Sequence, residues 1–372
     1  MKILGIISFK AFPAKMGGQK GVADFYAYMA EKTTVYLDVS RENEPEENMH
    51  FTVFRILPNQ WWGWLYIFKI PLLVKQIRVL HIDTLIIEHS YFGWMGVLLQ
   101  KLTGKPFVIH SHNIESERFK IAGRFWWRGY QVYEKWAHRR SKYVFYKCEE
   151  DAQYFLAMLG MKHPAYSIIP YGTHASALPT AVVIEDARKW LRARHQVTSN
   201  ELLFLFNGTF DYEPNTDAVQ IIIHTIIPVL RNKHIPFKII LCGNRINTTM
   251  KSALLSIPEI IWAGYVEDLD SYLRGVDAFI QPSVKATGIK TKLVEALAND
   301  LTVITTVSGA RGLQQAYLKE KLIQVNDTDI NEFINKMILV KELKEVHTPP
   351  AFFEAFNWEQ ITSKACLSLQ QL

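Results

Sequence analysis

Short continuous apolar runs alternate along this chain with stretches of helical spacing. In the first half, residues 2–8, 35–39, 52–56, 84–88, 106–110, 143–146 and 166–169 read as strands. Helical periodicity covers 22–31, 91–102 and 125–140. The second half is more regular. Strands at 202–206, 237–241, 260–262, 278–280, 301–305 and 322–325 alternate with helices at 216–230, 248–255, 269–275, 293–298 and 330–343. Strands apolar throughout, with helices between them, predict parallel sheets covered on both faces. The expected class is α/β, with two doubly wound, Rossmann-like domains. Pro164, Pro170, Pro179 and loose polar composition mark the boundary. The expected domains are therefore 1–170 and 171–350, followed by a terminal segment 351–372 that reads as helical from residue 358.

A chain of 372 residues, 49% apolar, is long enough for two such cores. Cys148, Cys242 and Cys366 form no CxxC pattern, which suits a reduced, cytoplasmic protein. Residues 1–8 read as a first strand rather than a signal peptide. The longest membrane-like stretch, 61–74, is interrupted by Lys69 and Pro71. It falls short of the ~20 apolar residues that a spanning helix needs.

Charge sharpens this picture. Residues 1–165 carry 22 basic and 15 acidic side chains, a net +7, which leaves −1 for the rest of a +6 chain. An anionic partner is implied for the first half. No zinc-finger spacing or RNA-binding aromatic motif supports nucleic acid, so an anionic membrane surface is the expected partner. Two segments mix rings and cations. One holds Trp61, Trp62, Trp64, Tyr66 and Phe68 beside Lys69, Lys75 and Arg78. The other runs from Phe125, Trp126 and Trp127 through Arg128, Tyr130, Tyr133 and Lys135 to Trp136, Arg139 and Arg140. Such mixtures suit a membrane interface; equally, the rings can pack in the core.

Residues 281–306 carry the densest chemistry: a strand end, a Gly288 turn, a helix, then a buried strand. Lys290 and Lys292 flank the helix start, where free amides and the helix dipole attract phosphate. Glu295, one turn further in, can accept hydrogen bonds from hydroxyls. Gly17 and Gly18 lie in a loop between the first strand and first helix, a second place for backbone amides to meet phosphate. His110 and His112 form an HxH pair with no evident third ligand, so no metal is assigned. His112 instead marks a strand's C-terminal end, where open α/β sheets bind ligands, with Arg118 within reach of a phosphate. Asp268–Asp270 and Asp327–Asp329 each form DxD ahead of a helix, and N-capping explains them better than metal binding.

The pattern GxKxKxxEAxAxxxxVI, preceded by Pro282–Ser283, resembles the nucleotide-sugar motif of retaining glycosyltransferases of family 4, which have the GT-B fold. HSHNIE at 110–115, IPYG at 169–172, NGTFDYEPN at 207–215 and GYVEDLDSYLRGVDAFIQPS at 264–283 fall in the family's order. The resemblance implies two Rossmann-like domains facing a cleft, with the C-terminal helix crossing back to the first. It implies a UDP- or GDP-sugar donor held mainly by the second domain. Gly243, Gly264 and Tyr265 would hold the base and Glu295 the ribose. Gly288, Lys290, Thr291 and Lys292 would hold the diphosphate, with Gly208, Gly17, Gly18 and Arg118 also on the donor. His112 would face the transferred sugar. No metal or cofactor is implied. The acceptor would be a glycan or a lipid-linked sugar, in bacterial surface polysaccharide synthesis at or near the inner face of the membrane.

Three departures stand out. Many members carry a glutamate where this chain has Thr287. Many carry Arg and Lys in the loop that here reads Gly208–Thr209–Phe210–Asp211. The asparagine usual after the hinge proline is Tyr171. A sugar-nucleotide epimerase, an inactive nucleotide-sugar-binding protein and a nucleic-acid-binding protein are the alternative readings.

Overall fold

The computed structural model describes the chain apart from residues 15, 47–48, 285–287, 314–317 and 344–345, and the side chains at 60–64, 161, 319 and 343. Thr287 and the tryptophan side chains at 61, 62 and 64 therefore lie outside the described residues. The chain divides into two compact units. One gathers Met1–Gly172, Gly288, Ile289 and Trp358–Leu372; the other gathers Thr173–Ala286 and Lys290–Asn357.

The first unit is built on β1 (Lys2–Ile7), β2 (Thr34–Ser40), β3 (Thr52–Leu57), β4 (Thr84–Glu88), β5 (Phe107–Ser111), β6 (Tyr143–Tyr146) and β7 (Ala165–Ile168). All pair in parallel, in the order β3-β2-β1-β4-β5-β6-β7. Its helices are α1 (Gly17–Ala30), α2 (Ile70–Val79), α3 (Gly93–Thr103), α4 (Glu115–Ile121), α5 (Trp127–Arg140) and α6 (Glu149–Leu159). Leu4, Ile6, Leu85 and Ile87 share one sheet face and meet Leu73, Ile77, Met95 and Leu99 from α2 and α3. Each such side chain taken out of water stabilises the unit by about 1.5–3 kcal/mol. The terminal helix, Trp358–Gln370, packs on α1, and its Ser368 hydroxyl meets Ser167 at the end of β7 at 2.9 Å.

The second unit has β8 (Leu202–Thr209), β9 (Phe237–Asn244), β10 (Ile260–Gly264), β11 (Ala278–Gln281), β12 (Val303–Thr306) and β13 (Leu322–Val325). They are parallel, in the order β10-β9-β8-β11-β12-β13. Its helices include α7 (Ala181–Arg194), α8 (Glu213–Ile221), α9 (Ile227–Asn232), α10 (Thr248–Leu255), α11 (Leu269–Gly275), α12 (Thr291–Ala298), α13 (Ile330–Ile338) and α14 (Pro350–Phe356). Its core is again aliphatic and aromatic, around Phe204, Phe206, Ile239 and Ile280.

Several boundaries differ from expectation. The helix expected at 216–230 is broken by a π-helical turn, Ile222–Ile226. Pro228 follows it and has no amide to continue the i→i−4 ladder. β8 and β9 each run three residues further than expected, so Gly208 and Gly243 are strand residues in register with each other. A Cβ on Gly243 would lie 1.8 Å from the Gly208 carbonyl oxygen, so close strand approach demands glycine there. α1 begins at Gly17, five residues earlier than expected, because the Met16 amide donates to the Gln19 side chain (3.0 Å) and the Lys20 amide to the Met16 carbonyl (2.8 Å). Asp268 and Asp329 are N-caps, accepting the amides of Ser271 and Glu332 at 3.0 and 2.9 Å.

Candidate functional site

Strand order reverses between β1 and β4 in the first unit and between β8 and β11 in the second. Ligand crevices in open α/β sheets lie outside the carboxyl ends of the strands at such reversals. Each unit gathers its unusual polar residues there.

In the first unit, Glu88 ends β4 and is fully buried. Its Oε1 accepts the Tyr26 hydroxyl (2.6 Å) and His110 Nδ1–H (3.0 Å), and its Oε2 accepts His112 Nε2–H at 2.5 Å. Burial alone would raise its pKa, but His110 and the donated hydrogen bonds outweigh it and hold the carboxyl well below its usual range. Burial holds both imidazoles below their usual range, His110 at about 4. Glu88 is thus the ionised member, with neutral histidines donating to it. The ligand atoms of Glu88, His110 and His112 lie within 4.8 Å of one another. Hydrogen bonds through Glu88 join them in pairs, and the Lys147 charge acts on both imidazoles.

His112 is held at both nitrogens. Its Nδ1 accepts the Tyr171 hydroxyl at 2.7 Å. The Tyr171 ring fits because residue 21 is glycine: a Cβ there would lie 2.1 Å from the ring. Lys147, at the end of β6, sets its ammonium 4.4 Å from the Tyr171 ring centroid. Burial lowers its pKa to about 7, although the Glu88 charge works against the shift. Among the described residues its Nζ has no hydrogen-bond acceptor.

His89 follows Glu88 and stacks on His112, ring centroids 4.3 Å apart. Its Nδ1 lies 3.0 Å from Oε1 of the buried Glu115. The other Glu115 oxygen takes the Tyr91 hydroxyl and, at 3.0 Å, Nε of Arg118. Arg118, expected at a phosphate, therefore spends its guanidinium on Glu115 and on the Tyr91 hydroxyl at 2.8 Å. Gly17 and Gly18 form the first turn of α1, and a Cβ on Gly18 would meet nothing within 4 Å. Packing does not demand glycine there, and the surrounding space is open.

In the second unit, β11 ends at Gln281, and α12 opens at Thr291 with Lys290 at its cap position. Just before it in the chain, Gly288, which groups with the first unit, has φ +65°, a left-handed turn suited to glycine. Lys290 is half-buried; burial, then the Arg311 charge, lowers its pKa to about 8. Lys292 turns inward. Its Nζ donates to the Asn207 carbonyl and to Asn215 Oδ1, both at 3.0 Å, above the Phe206 ring. Burial, then the Lys290 charge, holds its pKa well below the usual lysine range, and its amine ties β8 to α8 rather than standing at the helix mouth. Glu295 is half-buried on the first turns of α12. At β10, Gly264 has φ +69° and Tyr265 beyond it is 71% exposed.

Reasoning from the sequence assigned no role to Glu88, His89, Glu115, Lys147 or Arg311. Three of them signal only by position, as polar residues just at or past the ends of apolar strands. Arg311 follows β12 in a Gly309–Ala310–Arg311–Gly312 turn, the one visible hint that a cation stands beside Lys290.

Of the aromatic–cationic segments, Tyr66 is buried and stacked on Phe92, whereas Ile67 and Phe68 are exposed. On α5, Tyr130 and Tyr133 turn inward to Ser90 and the Tyr91 carbonyl, while Phe125, just before the helix, is 93% exposed. Ile121, Trp126, Val132 and Trp136 are exposed with it.

Two doubly wound parallel sheets, each with polar residues gathered at its strand reversal, define a two-unit α/β protein of the GT-B glycosyltransferase class. The model of Glycosyltransferase Family 4 matches residues 17–176, and that of Glycosyl transferases group 1 matches residues 201–341. The chain belongs to this family of glycosyltransferases. Sucrose-phosphate synthase from Thermosynechococcus elongatus is similar in structure, with a TM-score of 0.73 at 17% identity, covering 100% of this chain and 99% of its own. HepE of Anabaena, solved in complex with UDP, matches with a TM-score of 0.74 at 16% identity, covering 100% of both chains. The lipopolysaccharide outer core galactosyltransferase WaaB matches at 0.65 and 12% identity, covering 99% of both. No curated protein sequence matches.

Proposed function

We propose that this glycosyltransferase is a retaining enzyme that moves a sugar from a UDP-sugar, or failing that a GDP-sugar, to a glycan or lipid-linked acceptor in surface polysaccharide synthesis. The observation that carries the donor reading is the α12 entrance: a left-handed Gly288, then Lys290 and Thr291 opening a helix, with Arg311 close enough to perturb Lys290. Two cations beside free helix amides suit a diphosphate leaving group, whose charge would be stabilised by preorganised donors. HepE, solved with UDP and with UDP-glucose, supports a uridine donor. Glu295 would take the ribose hydroxyls, and the chain's own cations would do the work elsewhere given to metals, so no metal or cofactor is called for.

The acceptor side is read from the first unit. Exposed Ile121, Phe125, Trp126, Val132 and Trp136 lie among Lys120, Arg124, Arg128, Arg139 and Arg140, a composition that suits an anionic leaflet. Among the described residues no helix is long and apolar enough to cross a membrane. Peripheral attachment from the cytoplasm fits both facts. A melting screen against UDP, GDP and their hexoses tests the donor. A ligand at ~100 times its Kd stabilises by about 2.7 kcal/mol. Glu295→Gln should weaken UDP binding by about 1.5–3 kcal/mol, and unchanged affinity in a folded variant would remove Glu295 from the site.

A further inference from the structure

The basic excess of the first unit falls on one face of its sheet. Ile109 on β5 turns toward α2, α3 and α5, whose Ile77, Leu99 and Ala137 share a core with it. His110, the next residue, turns the other way and meets Phe25 of α1, ring centroids 4.6 Å apart. Together α2, α3 and α5 carry seven Lys or Arg and a single acid, Glu134, which is fully buried. None of the seven cations is buried. This layer of three helices therefore presents positive charge with no exposed carboxylate. On the opposite face, α1 and the terminal helix carry two cations and two acids.

Exposed rings gather at one end of that layer. A helix between two parallel strands starts at the carboxyl edge of the sheet and returns to the amino edge. Ile67 and Phe68 precede α2, Leu72 lies on its first turn, and all three are exposed, Phe68 by 70%. Their neighbour Tyr66 fixes them at the carboxyl edge. Its hydroxyl donates to the Pro58 carbonyl just past β3 at 3.0 Å, and its ring stacks on Phe92 at 4.3 Å. Phe125 and Trp126 precede α5 in the same way. Trp126 packs on Phe119 (4.4 Å) and Phe119 on Tyr130 (5.0 Å), whose hydroxyl meets that of Ser90, two residues past β4, at 2.9 Å. Tyr91 and Phe92 thus lie between two exposed apolar groups, at the edge that holds Glu88, His89 and His112. Arg78, Lys101, Arg139 and Arg140 come at the far ends of the same helices, toward the amino edge.

We propose that the first unit docks edge-first on an anionic leaflet through two apolar prongs, Ile67–Phe68–Leu72 and Phe125–Trp126; this deepens the peripheral-attachment reading above and rests on it. The prongs enter at headgroup depth, where amphipathic rings are favoured. The cations of α2, α3 and α5 follow over the lipid phosphates. A lipid surface is the occupant because the face joins a rim of rings to a cationic field that no exposed carboxylate interrupts. One prong is comparable to a single lipid anchor, which attaches only marginally. Two prongs on one unit enter together, the second at the high effective concentration that the first provides. The docked edge is the one at which strand order reverses, so Glu88, His89 and His112 face the lipid surface.

Cys148, Cys242 and Cys366 are buried, so one added surface cysteine can carry an environment-sensitive fluorophore on the full chain. Labelled Phe68→Cys and Phe125→Cys, mixed with vesicles of phosphatidylglycerol and phosphatidylcholine, should both shift to the blue and be quenched by spin-labelled acyl chains. Labels on Val79→Cys and Leu102→Cys, at the amino-edge ends of α2 and α3, and on Leu367→Cys of the terminal helix should stay in water; all three positions are exposed. Removing either prong, by Phe68→Ser with Leu72→Ser or by Phe125→Ser with Trp126→Ser, should weaken vesicle affinity at high salt at least about tenfold. These side chains are exposed, so both variants should melt like the wild type. Entry of only one of the labels at 68 and 125 overturns the two-prong surface and leaves peripheral attachment standing. Equal entry at 79 and 102 means that the face lies flat, and it overturns edge-first docking. No entry at any position, with the UDP melting shift intact, removes peripheral attachment as well and leaves the donor site untouched.

Discussion

The carboxylate of Glu134 caps the helix that Glu115 opens. Its Oε1 lies 3.0 Å from the Glu115 amide, and its Oε2 lies 3.1 Å from that of Ser116. The cap is supplied from α5, nineteen residues further along the chain. It anchors α4 beneath the exposed aromatic face and holds Glu115 against His89.

Removing this cap should cost stability out of proportion to one surface-helix residue. Glu134→Ala leaves two buried amides without their acceptor, while the Ser90 hydroxyl keeps that of Tyr130. About 1–3 kcal/mol per orphaned amide sets an expected loss of roughly 2–6 kcal/mol in urea unfolding. Glu134→Gln keeps one acceptor oxygen and should lose about half as much. Equal stability of Glu134→Ala and the wild type would show that water replaces the cap.

The two lysines of the α12 motif should separate cleanly. Lys292→Ala removes an internal tie between Asn207 and Asn215, so it should destabilise the protein by about 2–3 kcal/mol. Lys290→Ala should leave the melting temperature of the unliganded protein nearly unchanged and weaken UDP more than uridine. If Lys292→Ala instead melts like the wild type and loses only UDP affinity, the inward position of its amine is not the one that matters.

Asp38 sets a pH dependence of stability. It is fully buried on β2 with one oxygen on Gln76 (2.9 Å), and burial raises its pKa to about 7 despite that bond. A carboxyl raised on folding contributes its full stability below its unfolded pKa, near pH 4, and loses it as pH climbs through about 7. Asp38→Asn should flatten that decline. Above pH 8 the variant should exceed the wild type by on the order of 2–4 kcal/mol. Parallel stability–pH curves for the two proteins would mean that Asp38 is ionised in the fold.

Vesicle flotation tests the aromatic–cationic face. Changing Arg128, Lys135, Arg139 and Arg140 together to Gln should abolish the salt-sensitive part of binding to anionic vesicles, on the order of 1 kcal/mol per cation. Phe125→Ser with Trp126→Ser should abolish the salt-resistant part. Both variants should keep the UDP melting shift. Equal flotation on neutral and anionic vesicles would remove the electrostatic contribution.

The strands and their chain order were legible because parallel strands buried on both faces leave an unbroken apolar signature. The α12 motif was legible too, because Gly288, Lys290 and Glu295 lie within one loop and two helical turns, so local spacing carries the chemistry. Asp268 and Asp329 read correctly as caps for the same reason: their partners are three residues away. The inward turn of Lys292 was not legible, since Asn207 and Asn215 come from elements some eighty residues earlier. Nor could an HxH pair at the end of β5 reveal that both rings share one carboxylate, Glu88, twenty-two residues before His110. His112 was found by motif, but its confinement between Glu88 and Tyr171 depends on three strand ends meeting in one sheet. The sequence by itself determined which segments bury and which local chemistry stands at the start of α12. Strand order decided which distant ionisable groups share a dry site, and the energy of a buried charge depends on those neighbours rather than on residues adjacent in the chain.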